Sequence, residues 1–113
     1  METLLRNLQA SVKERTADGK TPLMWAAMQT NNPEIIQVLI KAGASVKDRD
    51  TNKATPLMAA AAVNLNRSVV HSLILAGAGV NDVCEGNMTP LMFSAAKTKN
   101  PDIVMELLSA GAD

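Results

Sequence analysis

The chain has 113 residues, the size of one domain, and its eleven basic and eleven acidic residues cancel to a formal charge of zero. Scattered charge leaves no basic face to displace counterions from phosphates, and two aromatics, Trp25 and Phe93, make no platform for stacked bases, which argues against nucleic-acid binding. No apolar run reaches the ~20 residues of a membrane span, the first 15 residues lack a signal peptide's apolar centre, and the lone Cys84 forms no internal disulfide; the expectation is an intracellular, cytoplasmic protein with no membrane partner.

With 47% hydrophobic residues and almost no rings, the core must come from Ala, Leu, Ile, Val and seven Met, a set suited to close helix packing. In chain order, Ala10-Ser11-Val12-Lys13 matches Ala44-Ser45-Val46-Lys47 one period later. Segment 2–8 therefore falls where a helix belongs, and Glu2, Arg6 and Asn7 give it the polar outer side of a cap. Thr21 reads as an N-cap with Pro22 at the first helical position, opening a short Ala-rich helix over 22–29. Asn32 caps a second helix, with Pro33 and Glu34 at its start and Ile35, Ile36, Leu39 and Ile40 at helical spacing. Gly43 ends it in the left-handed conformation, and residues 45–54 read as an extended hairpin loop anchored by Val46.

The same signals return twice. Thr-Pro-Leu recurs at Thr21, Thr55 and Thr89, and Gly-Ala at Gly43, Gly77 and Gly111, both advancing by 34. Three copies agree at ten positions: Thr21, Pro22, Leu23, Met24, Ala27, Asn32, Leu39, Ala42, Gly43, Ala44 and their counterparts. The expected division is a half repeat at 1–15, then copies at 16–49, 50–83 and 84–113, the last stopping before its hairpin. An uncapped end there leaves three readings: the chain continues, it pairs with another copy, or the last helix frays.

This pattern resembles the ankyrin repeat, carried by DGKTPLMWAA with IIQVLIKAGASV, ATPLMAAAA with VVHSLILAGAGVN, and NMTPLMFSAA with IVMELLSAGAD. The resemblance implies a mainly α solenoid of stacked helix–turn–helix pairs joined by β-hairpin loops. Against the family period of 33, the extra residue falls between the two helices, at about 30–32. Met24, Met58 and Met92 stand where the family has a polar-linked His, so flexible apolar packing is expected there. The hairpin glycine is kept as Gly19 but replaced by Lys53 and Asn87; lysine accepts left-handed geometry less readily, so the second hairpin is expected to deviate.

Candidate sites of chemistry reduce to structure. His71 is the only histidine, on a variable position of a second helix, and reads as a surface residue; no metal is expected. Gly19-Lys20-Thr21 lacks the first glycine of a phosphate loop, and Gly77-Ala78-Gly79 has Asp82 in place of the third glycine of a dinucleotide fingerprint. The sequons at Asn66 and Asn87 are better read through the caps Asn66 and Thr89, and Cys84 as a small structural residue. No nucleophile, base and orienting group assemble around one histidine, so no catalysis and no cofactor are expected.

The resemblance implies a partner protein met by hairpin tips and the exposed side of the first helices, along a concave face. By position the first copy contributes Ala17, Asp18, Lys20, Met28 and Gln29; the second Thr51, Asn52, Ala54, Ala62 and Val63; the third Glu85, Gly86, Met88, Ala96 and Lys97. Trp25 and Phe93 share one place in the first helix, with Ala59 between them, and are either contact residues or partly buried between helices. The alternative function is a rigid spacer, or a piece of a larger protein whose active part lies elsewhere. The chain is expected to be a monomer, with weak self-association through the C-terminal end as the other outcome.

Overall fold

Threonine and proline open the first helix of every copy, and asparagine opens the second. The computed structural model describes residues 12–64, 66–97 and 100–112. Within them lie α1 Pro22–Gln29, α2 Pro33–Lys41, α3 Pro56–Val63, α4 Arg67–Leu75, α5 Pro90–Lys97 and α6 Pro101–Ser109, with no strand among the described residues. The capping segment expected at 2–8 lies outside them.

The caps form as the spacing requires. Thr21, Thr55 and Thr89 hydroxyls accept the amides of Met24, Met58 and Met92 at 3.3, 3.4 and 3.2 Å. Asn32, Asn66 and Asn100 accept those of Glu34, Ser68 and Asp102 at 3.0, 2.8 and 3.0 Å. Each second helix closes on a left-handed glycine. In the first copy the Gly43 amide donates to the Ile40 carbonyl and the Ala44 amide to that of Leu39, both at 3.0 Å; the copies at Gly77 and Gly111 repeat both bonds. A Cβ at Gly77 or Gly111 would meet nothing within 4 Å, so backbone conformation and not space demands glycine there.

The helices stack in two layers. Helix α1 packs on α3 and α3 on α5, while α2 packs on α4 and α4 on α6. Leu23, Ile36, Leu57, Val70, Leu73 and Leu107 are fully buried between them, each contributing about 1.5–3 kcal/mol. Ala27, Ala60 and Ala61, equally buried, let the first helices approach closely. The stack measures 43 × 26 × 20 Å.

Polar bonds tie neighbouring copies. The Arg15 guanidinium donates to the carbonyls of Gly19 and, one copy on, Arg49 at 2.9 and 2.7 Å; Arg49 repeats this to Lys53 and Val83 at 2.8 and 2.7 Å. Between the helix turns, buried Asn64 donates to the Ala27 and Thr30 carbonyls, each at 2.8 Å, and accepts the Asn66 amide at 2.8 Å. The linker at 30–32, one residue longer than the family period needs, is thus bonded to its counterpart in the second copy.

Two details differ from expectation. The loops close as tight turns in which the amides of Thr16, Asp50 and Cys84 bond the carbonyls of Lys20, Ala54 and Met88 at 3.0, 3.0 and 3.1 Å. Lys53 adopts φ +64° and keeps that turn, so the second loop retains the first loop's closure and the lysine carries the strain. It is the third loop that departs, with Gly86 and Asn87 both at positive φ. At the second copy the polar link also persists in weaker form: the Thr55 amide donates to the Met58 sulfur at 3.5 Å.

Candidate functional site

Helical geometry puts residues three and four apart on one face, and α3 uses this to aim Ala59, Ala62 and Val63 the same way. On this side a hollow of about 210 Å³ opens between the copies. Met28 from α1 and Phe93 from α5 form its walls, with Met58 reaching it from the core. Lys20, Asp50, Asn52, Ala54 and Cys84, from the three loops, complete the lining.

The charges here are already satisfied. The Lys20 ammonium lies 3.0 Å from one Asp50 oxygen and 3.3 Å from Asp18. The other Asp50 oxygen accepts the amides of Asn52 and Ala54, both at 2.9 Å. Lys20 is held above the ordinary lysine value chiefly by its hydrogen bond to Asp50. Asp18 is held below the ordinary aspartate value, first by the Thr16 hydroxyl and then by Lys20. Paired rim charges and apolar walls equip the hollow to bury an uncharged side chain.

Of the residues expected from sequence, the hollow brings together Lys20, Met28, Asn52, Ala54, Ala62, Val63 and Phe93, drawn from all three copies. Ala17, Asp18, Gln29, Thr51, Glu85, Gly86, Ala96 and Lys97 are exposed, and Met88 half-buried, none of them on its lining. Trp25 stands apart. It is 38% exposed and lines a second hollow with Glu14, Arg15, Thr16, Lys20 and Pro22. Phe93, at the equivalent place, is half-buried and packed on the core. Asp50, Met58, Ala59 and Cys84 were missing from the sequence-derived set. The i+3 and i+4 spacing from Ala59 to Ala62 and Val63 was the signal for one of them.

A second polar cluster joins the α4 and α6 layer. Glu106, buried, accepts from the Arg67 Nε at 2.9 Å and faces the His71 Nδ1 at 3.2 Å. Its carboxyl is held below the ordinary glutamate value, first by Arg67 and then by His71. His71, half-exposed, is therefore an inter-copy contact as well as a surface residue. The signal was positional: Arg67 replaces the proline found at Pro33 and Pro101, and Glu106 stands where Val38 and Ser72 occur.

Among the described residues no three His, Cys, Asp or Glu side chains gather as a metal site, and no helix is long and apolar enough to cross a membrane. A family model described as ankyrin repeats in three copies matches residues 1–82, and a single ankyrin-repeat model matches residues 86–113. No curated protein matches the chain.

Proposed function

Because the chain belongs to the ankyrin-repeat family, whose repeats are generally protein-interaction modules and typically non-catalytic, we propose that it holds a partner protein in the hollow between its loops and first helices. The observation that carries this reading is the apolar lining of Met28, Ala59, Ala62, Val63 and Phe93, contributed by all three copies and rimmed by charges that already have partners. Such a site takes one aliphatic or aromatic anchor from the partner. The exposed loop residues around it, Asp18, Thr51 and Glu85 among them, supply the polar contacts that set orientation. The work is done by shape and side chains, without cofactor or chemistry.

Selection of a random peptide library displayed on phage, with this chain as bait, tests the reading. The enriched peptides should share one bulky apolar residue, and Ala62→Glu should lose them while its helical circular dichroism and melting stay unchanged. Met105→Glu, on an exposed second-helix position, should keep them. Peptides retained equally by Ala62→Glu, or lost only from Met105→Glu, would move the binding surface away from the hollow.

A further inference from the structure

We propose that the residue this hollow takes from a partner is an unphosphorylated tyrosine, with its ring among the methionines and its hydroxyl on the side-chain amide of Asn52. The inference rests on the reading of the hollow as the partner site and adds which anchor enters it. Volume comes first. The space of about 210 Å³ exceeds the roughly 150 Å³ of an apolar protein cavity that accepts benzene, so one aromatic ring fits with room for its substituent. The walls favour a ring over an aliphatic chain. Met28 and Met58 bring thioethers, which make favourable contacts with the edge of a ring, and Phe93 brings a ring that can meet another edge to face. Ala59 and Ala62, both small, leave the space between them open to a flat group.

The rim then selects among rings. The Lys20 ammonium is held by Asp50 and Asp18 at 3.0 and 3.3 Å, and the other Asp50 oxygen is taken by the amides of Asn52 and Ala54. The Cys84 thiol donates to the Glu85 carbonyl at 3.2 Å. Asn52 differs. Its backbone amide goes to Asp50 and its carbonyl accepts the Glu85 amide at 2.9 Å. Its side-chain carboxamide, exposed where the residue lines the hollow, has no hydrogen-bond partner among the described residues. A carboxamide offers both an acceptor and donors, and a phenol hydroxyl answers both; an indole only donates, and a phenyl ring does neither. Asp18 and Gly86 stand at the equivalent places of the other copies, so the middle copy alone sets an uncharged amide there. A phosphate on the tyrosine would meet Asp18 and Asp50 with Lys20 already engaged by both, so phosphorylation of the partner releases it.

The probe is the strongest-binding peptide from the phage selection, synthesised with Tyr, Phe, Leu or phosphotyrosine at its bulky position and titrated by calorimetry. The selection itself should favour tyrosine there. Replacing it by Phe should weaken binding about fivefold and by Leu about tenfold, and the phosphotyrosine peptide should not bind. Asn52→Ala should keep its melting, because the side chain carries no bond in the fold, and should bind the Tyr and Phe peptides within about twofold of each other. Peptides that are lost by Ala62→Glu yet carry Leu, Ile, Phe or Trp in preference to Tyr would overturn the proposal and leave the hollow as the partner site. A Tyr–Phe difference that survives Asn52→Ala, or undiminished binding of the phosphotyrosine peptide, would do the same. Peptides indifferent to Ala62→Glu would overturn both readings.

Discussion

Asn64 offers the sharpest test of how neighbouring copies are held in register. It is 4% exposed and its side chain makes three hydrogen bonds: two from its amide nitrogen, to the carbonyls of Ala27 in α1 and Thr30 in the linker, and one accepted from Asn66. Asn64→Ala strands all three partners away from easy hydration. At about 1 kcal/mol for each bond, the expected loss is about 3 kcal/mol. For a domain of this size that is a fall in melting temperature of roughly 10–20 °C. Thr30, the equivalent residue one copy earlier, provides the control. Its hydroxyl accepts the Asn32 amide at 3.1 Å, so Thr30→Ala should cost only about 1 kcal/mol. Asn64→Asp should be worse than Asn64→Ala, because it sets an acceptor against two carbonyls. Urea titration followed by circular dichroism reads all three. A loss below about 1 kcal/mol for Asn64→Ala, or a milder effect from Asn64→Asp, would refute the reasoning that these bonds register the stack.

Three further outcomes follow from other parts of the structure. Lys53→Gly should raise stability by about 0.5–1 kcal/mol, since it relieves a left-handed lysine and returns part of the gain as glycine's unfolded freedom; Gly19→Ala should lower it, because the new Cβ would stand 2.9 Å from the Thr51 amide nitrogen. Glu106→Gln should cost about 1 kcal/mol at neutral pH. Because Glu106 is lowered in the folded state, its contribution is present above the ordinary value near 4.5 and is lost as pH falls through the folded value, so wild type and variant should converge in acid-range melting curves. Phe93→Ala should weaken both the fold and peptide binding, whereas Trp25→Ala, outside the hollow, should change binding by less than about threefold; loss of binding in Trp25→Ala with melting unchanged would relocate the site to the neighbouring hollow.

The fold was legible because it is written three times. A threonine, a proline and a glycine at fixed intervals state where a helix starts and stops, and Thr21 through its hydroxyl and Gly43 through its amide do so by local bonds that depend on nothing distant. The site was less legible. Sequence periodicity gathers Met28, Ala62 and Val63 onto one side, but it does not say that Asp50 occupies Lys20, nor that Trp25 and Phe93, at one shared place, meet different surroundings. Those outcomes depend on what the adjacent copy brings. Arg15 and Arg49 carried a readable signal, since they repeat at the period, yet their role lies in carbonyls that periodicity cannot reveal. Asn64, Arg67 and Glu106 are departures from the repeat, and they add further fastenings between one copy and the next. Lys53 shows the converse: a residue poorly suited to its turn is held there by neighbours that fit.

The seven methionines provide direct reporters of where a partner binds. Methyl-labelled NMR spectra recorded while adding a phage-selected peptide should show Met28 and Met58, at the hollow, shifting with Val63, while Met105 on the second-helix layer stays still. Shifts at Met105 with Met28 and Met58 unmoved would contradict the claim that the stacked copies hold their partner between the loops and the first helices.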